Sequence, residues 1–155
     1  QHLARPHRQP RRAEGAGVFA VGECTRQPNR FAGGRTRLES VQHAVDQAKT
    51  VAAAIAGRPA AYDEVPWFWS DQYEVKLQMV GLSTGHDQLV LRGEPASGRF
   101  SVVYFRDGRL LAIDSVNRPA DHMVGRRLLA SGAALSPEQA ADETFDLRGA
   151  LAAAA

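Results

Sequence analysis

From Leu38 to Ala56 the apolar positions Val41, Ala44, Val45, Ala48, Ala52 and Ile55 recur at helical spacing. Ser40 stands where a side-chain cap belongs, and Gly57 with Pro59 marks the end. Ahead of this helix, "VFAVG" at 18–22 is a short apolar run closed by glycine, which predicts a buried strand. The segment between, "RQPNRFAGGRTR" at 26–37, reads as a loop by its Pro, Asn and paired Gly. Near residue 58 the period changes from helical to two. In "YEVKLQMVGL" Val75, Leu77 and Met79 face one way and Glu74, Lys76 and Gln78 the other. "QLVLRGE" predicts a second strand, and "FSVVYFRDGRLLAIDSV" two more joined by Asp107-Gly108, a pair that accepts the positive φ of a tight hairpin. Three or four antiparallel strands are therefore expected after the helix. "NRPADHMVGRRLLASG" predicts a helix with Pro119 in its first turn and Gly132 at its end, and "SPEQ" a short one with a capping box from Ser136 to Gln139. The fold class is α+β.

Three places invite chemistry. An apolar strand ending in Gly22-Glu23 sets a carboxylate at a strand's carboxyl edge, where ligands of open α/β sheets bind, although an ordinary strand end is the plainer reading. The helix start at Glu39, Ser40 and Val41 offers amide groups and a positive dipole end to an anion, and a capped helix without a ligand satisfies the same pattern. "PWFWSDQY", residues 66–73, gathers both tryptophans, Trp67 and Trp69, around an expected Ser-Asp-Gln turn; composition alone favours core aromatics over a stacking surface. The five histidines are scattered, so no metal site is expected. No GxGxxG or GK[ST] is present, and no nucleophile–base–acid pattern stands out.

With 44% hydrophobic residues in 155, a packed core is within reach and a disordered chain is excluded. Residues 1–17 hold four of the nineteen basic residues and one of the seventeen acidic ones. That leaves fifteen against sixteen, a net −1, for residues 18–155. The basic character thus belongs to an arm of two prolines and no period, expected to be disordered or aberrant. As a nucleic-acid-binding arm it finds no basic stripe in the remainder to support it. A single cysteine, Cys24, excludes an internal disulfide framework and fits a reducing cytoplasm. No apolar run is long enough to span a membrane, and the basic start lacks the apolar stretch of a secretory signal. The chain starts with Gln1, so a processed chain or a fragment is expected.

The order of these features carries more than each alone. "AVGEC", the Gly-rich loop, "RLESVQHAVDQA", "PWFWSDQ", "QMVGLS", "LVLRGE", "GRLLAIDSVNRP" and "DLRGAL" together resemble the carboxyl-terminal part of the FAD-dependent NAD(P)H:ferredoxin reductases, the rubredoxin, putidaredoxin and dioxygenase-system enzymes of the pyridine nucleotide-disulfide reductase fold. The resemblance runs from about Gly17 to Leu151. It implies that residues 18–57 are the strand and helix that end an FAD-binding α/β domain, and that 58–155 form a reductase carboxyl-terminal domain with an antiparallel sheet and carboxyl-terminal helices. It further implies FAD and NAD(P)H as cofactors and a ferredoxin-type iron–sulfur protein as partner, with no side chain performing acid–base catalysis in the main step.

Residue by residue, the resemblance puts Gly22 and Glu23 at the ribityl chain of FAD. The family normally has Asp at the second position, so Glu23 carries its carboxylate about 1.5 Å further out. Ser40 and Val41 fall at the flavin pyrimidine edge, Glu39 beside the nicotinamide, and Trp69 against the isoalloxazine, with Trp67 and Phe68 left to the core. The family's amino-terminal FAD fingerprint and its middle NAD(P) domain have no counterpart in this sequence. The expectation is therefore that the chain alone binds FAD weakly and does not turn over. A non-catalytic module that binds a ferredoxin, or the missing half of a split reductase, is the alternative.

Overall fold

Helix α1 (Val41–Ile55) starts where Ser40 turns its Oγ to accept the amide of His43 at 3.1 Å, which satisfies one of the donors a helix start leaves free. It belongs to the computed structural model of this chain, which describes residues 18–152 in two compact units dividing between Glu64 and Val65. The arm at 1–17 and the last three alanines of the tail lie outside the described residues.

In the first unit, α1 is preceded by strands β1 (Gln27–Asn29) and β2 (Gly34–Thr36), an antiparallel hairpin with Gln27 opposite Thr36. This corrects the expected loop at 26–37. The turn residues mark the reversal itself, where the Asn29 side chain accepts the amides of Phe31 and Ala32, and the flanks are free to pair. The expected strand at 18–22 does not form either. Residues 18–22 carry only an isolated bridge at Phe19, and Val18 and Val21 are exposed. A strand is sustained by neighbours on its edges, and among the described residues no ladder runs beside this one. The helix also faces unexpectedly. His43 and Gln47 are buried, whereas Val41 is 60% and Ile55 70% exposed.

The second unit is a five-stranded antiparallel sheet, one strand more than the upper expectation. Strands β3 (Trp67–Gln72), β4 (Val75–Gly81), β5 (Gln88–Glu94), β6 (Arg99–Arg106) and β7 (Arg109–Val116) lie in the order β3-β4-β7-β6-β5. Asp107 and Gly108 make the β6–β7 reversal with φ of 50° and 72°, as the sequence suggests. The additional strand is "WFWSDQ" itself. Ser70, Asp71 and Gln72 pair with Leu77, Lys76 and Val75, and the reversal falls at Tyr73, φ 55°, rather than at Ser-Asp-Gln.

Cross-strand pairing fixes the faces. Trp67, Val80, Ile113, Val103 and Val90 form one row, and Trp69, Gln78, Ser115, Ser101 and Arg92 the next row of the same face. Helix α2 (Pro119–Ser131) covers this face, burying Val80, Val103, Phe105 and Ile113 against Val124, Leu128 and Leu129. Helices α3 (Pro137–Ala141) and α4 (Arg148–Ala152) follow, α3 opened by the expected capping box of Ser136 and Gln139. Val75, Leu77 and Met79 do share a face, but it is the one turned away from α2; the core residue of β4 is Val80, in phase with Lys76 and Gln78. Phe68 lies on that outer face too and is 39% exposed, so it is not a core aromatic.

Where the second unit buries charge, it pairs it. Ser101 and Ser115 stand opposite each other with their hydroxyls 3.0 Å apart, and Ser101 also donates to Asp121 at 2.9 Å. The Asp121 carboxylate meets Arg118 Nε at 2.8 Å and Arg92 Nε at 3.7 Å. From β5, the buried guanidinium of Arg92 reaches the carboxyl-terminal segment. It donates to the carbonyls of Ala140 and Asp142 through one terminal nitrogen and of Glu143 and Phe145 through the other.

Candidate functional site

In the first unit a tight turn from Gly22 to Thr25 is strapped to α1 by one side chain. Gln47 Oε1 accepts the Gly22 amide at 2.6 Å and the Thr25 hydroxyl at 3.1 Å, while its Nε2 donates to the side chain of Gln27 on β1. Gly22 has φ 93°, a conformation that an L side chain rarely adopts. Glu23 sits exposed on this turn, and its carboxylate acts on His43 in the first turns of α1. Burial nevertheless pushes the His43 imidazole below its ordinary pKa, against the opposing pull of Asp46 and Glu23. The His43 ring is held by the Tyr62 hydroxyl at 2.9 Å, and burial pushes that phenol upward.

Gly22, Glu23 and the buried cap Ser40 thus share one locality, with Val41 exposed beside Ser40. Glu39 is exposed and ion-paired with Arg37. Trp69 belongs to the second unit.

There Trp69 stands on the edge strand β3 with 39% of its surface exposed, forming one wall of an open groove of about 830 Å³ with Lys76, Gln78, Arg99, Asn117 and Pro119. The groove floor is set by Asn117, which at φ 51° accepts the Lys76 amide at 3.0 Å and donates to the Gly98 carbonyl at 2.9 Å. Trp67, two residues earlier on the same face, stacks on Trp69 with centroids 5.4 Å apart and planes tilted 33°. A planar ligand entering the groove would meet the Trp69 indole together with mixed charges from Lys76, Arg99, Asp71 and Glu74. Among the described residues no group of His, Cys, Asp and Glu is arranged to hold a metal ion.

Sequence reasoning passed over Gln47, Arg92 and His122. In α1 the glutamine follows Ala44 by three residues, one step from the apolar stripe, which was its only signal. Arg92 alternates with Leu91, so the period-two reading sends it outward; here the leucine is the exposed one. His122 is buried beside Trp67, and burial, reinforced by the positive charge of Arg126, lowers its pKa to about 4.

Residues 67–151 match the family model described as Reductase C-terminal. The ferredoxin reductase subunit of the 5,5'-dehydrodivanillate O-demethylase of Sphingobium sp. is 50% identical over 137 residues, 88% of this chain and 33% of that one. Rhodocoxin reductase of Rhodococcus erythropolis is 52% identical over 135 residues, 87% of this chain and 32% of that one. Among solved structures, the covalent putidaredoxin reductase–putidaredoxin complex superposes with a TM-score of 0.83 at 39% identity, covering 88% of this chain and 33% of that one. The chain spans about a third of the length of these relatives. The family model matches more than half of this chain, so the chain belongs to the Reductase C-terminal family, and it corresponds to the carboxyl-terminal part of ferredoxin reductases of the putidaredoxin reductase type.

Proposed function

We propose that this chain is the carboxyl-terminal third of a cytoplasmic flavoprotein that passes electrons from NAD(P)H through FAD to a ferredoxin-type iron–sulfur protein. The observation that carries this reading is the half-exposed Trp69, propped by Trp67 on the rim of the sheet within the matched domain. In this reading residues 18–57 end the FAD-binding domain and 58–155 form the covering domain.

The residues fit an FAD. Glu23 is an exposed carboxylate on a turn whose glycine has no Cβ to obstruct approach, suited to accept hydrogen bonds from ribityl hydroxyls. The start of α1 is exposed at Val41, so its amide dipoles favour negative charge at a pyrimidine edge. The Trp69 indole supplies a flat apolar face that excludes water from one side. In this reading Glu39, held by Arg37, would lie beside the nicotinamide. Bound flavin would supply the hydride acceptor and the one-electron donor; this chain's residues bind, orient and shield.

The exposed Val41, Val45 and Ile55 of α1 support a further polypeptide, the rest of the reductase, as the partner that covers them. The test is a visible spectrum after incubation with FAD and gel filtration. The 155-residue chain alone should elute colourless. Mixed with the amino-terminal two thirds of a related reductase, it should elute yellow and bleach with NADH. A yellow chain alone would overturn the dependence on that partner. A mixture that stays colourless would overturn the flavin reading.

A further inference from the structure

We infer that Arg126 and His122 are positioning residues that clamp Trp67, and through it fix the angle of Trp69. An exposed indole on an edge strand has few neighbours to select its rotamer. The aromatic neighbours of Trp69 are Trp67, with centroids 5.4 Å apart, and Phe68 at 6.5 Å. Trp67 is in turn held from α2. The His122 ring lies 5.6 Å from it at 59°, and the Arg126 guanidinium is 4.7 Å from its ring centroid, within the range in which a cation is attracted by the ring's negative face. His122 and Arg126 are four residues apart, so one face of α2 presents both to the same indole.

The helix carrying them is tied to the sheet one residue before His122. Asp121 accepts the Ser101 hydroxyl at 2.9 Å and pairs with Arg118 at 2.8 Å, so α2 cannot slide without breaking a buried network. Position is thus transmitted from Ser101 through Asp121 and α2 to Trp67 and finally Trp69. The low pKa of His122 keeps its ring uncharged near neutrality, leaving Arg126 as the cation against this indole among the described residues.

For function the inference rests on the flavin reading of Trp69, but its geometry can be tested without flavin. Trp67 and Trp69 are the only tryptophans in the chain. Stacked indoles couple their transitions and give paired bands of opposite sign in far-ultraviolet circular dichroism. Trp67→Phe and Trp69→Phe, each abolishing the couplet, identify it. Arg126→Ala and His122→Ala should then lose most of its amplitude, and Arg126→Lys should restore it by returning a cation to the ring. If Arg126→Ala does not melt cooperatively, Arg126→Gln, which keeps most of the side-chain length without the charge, gives the same reading. A couplet of full amplitude in the charge-removing variant overturns the clamp. A couplet that is lost there and rescued by lysine, while the yellow complex keeps its flavin spectrum in Trp69→Ala, supports the clamp and overturns only the flavin contact assigned to Trp69.

Discussion

Removing the Arg92 guanidinium should undock the carboxyl-terminal helices rather than merely loosen the sheet. Arg92 is 4% exposed and directs both terminal nitrogens to backbone carbonyls of residues 140–145, a segment that Arg118 also holds through its ion pair with Glu143 at 2.6 Å. Two of these bonds are short, 2.5 Å to Asp142 O and 2.9 Å to Phe145 O, and hydrogen bonds from a charged donor contribute about 1.5–3 kcal/mol each. The other two, at 3.2 and 3.4 Å, add little. Methionine at this position would recover part of the loss, because a buried ion no longer has to be desolvated and an apolar chain fills the same volume. Asp121 keeps Arg118 and Ser101, so it is not stranded. The balance for Arg92→Met is a loss of about 3 kcal/mol, a large share of a domain total of about 5–15 kcal/mol. Arg92→Lys should recover little of it, since a point charge cannot serve two pairs of carbonyls as a planar fork does. Urea unfolding followed by tryptophan emission measures the loss, and amide exchange over 140–152 locates it. A loss below about 1 kcal/mol with unchanged exchange would refute this account of what holds α3 and α4.

His122, with a folded pKa of about 4 against an ordinary 6.5, takes up its proton more readily in the unfolded chain, so stability is full above pH 6.5 and falls as pH drops toward 4. The total is about 3 kcal/mol, and a urea-midpoint profile read by tryptophan emission should be flatter over that window in His122→Phe than in the parent. Gly81→Ala places a Cβ 2.1 Å from the Leu111 carbonyl oxygen at φ 82°, with backbone on the opposing strand and nowhere to move. It should cost about 3 kcal/mol or more in thermal unfolding, and near-wild-type melting would contradict the close β4–β7 approach. Ser136→Ala breaks the capping box of α3 and should cost about 1 kcal/mol, read in the same urea titrations.

Much of this fold is legible because its signals are local. Asp107-Gly108, Pro119 with Gly132, and Ser136 with Gln139 act within a few residues, and each falls where the sequence puts it. What misleads is the assignment of faces. A period of two shows that Val75, Leu77 and Met79 share a side of β4, but only the position of α2 decides which side is core. That helix packs on Val80 and Ile113 instead. The same applies to "WFWSDQ", whose small polar residues read as a turn until Lys76 and Leu77 are seen to pair with them. For the apolar run at 18–22 no strand ladder pairs with it among the described residues, and no local pattern can supply one.

The candidate site divides along the same line. Glu23, Ser40 and Trp69 stand out by residue type at places that chemistry favours, a turn after an apolar run, a helix start and an aromatic strand. Gln47, Arg92 and His122 have no such marking, because their roles are set by partners 20 to 55 residues away: Gln27 and Gly22 for the first, Phe145 for the second, Trp67 for the third. Gln47 and Arg92 are buried polar groups, tolerated because the fold brings each its hydrogen-bond partners, whereas the His122 ring is held by its contact with Trp67. This has a consequence for the flavin reading. Glu23, Glu39, Val41 and Trp69, which would touch FAD, are exposed and need no partner to persist, whereas Gln47 and His122, which orient them, are buried and fixed by long-range contacts. Changes at Glu23 or Trp69 should therefore alter cofactor binding with little effect on folding. Changes at Gln47 or Arg126 should shift the geometry of Glu23 and Trp69 even though neither side chain approaches the ligand.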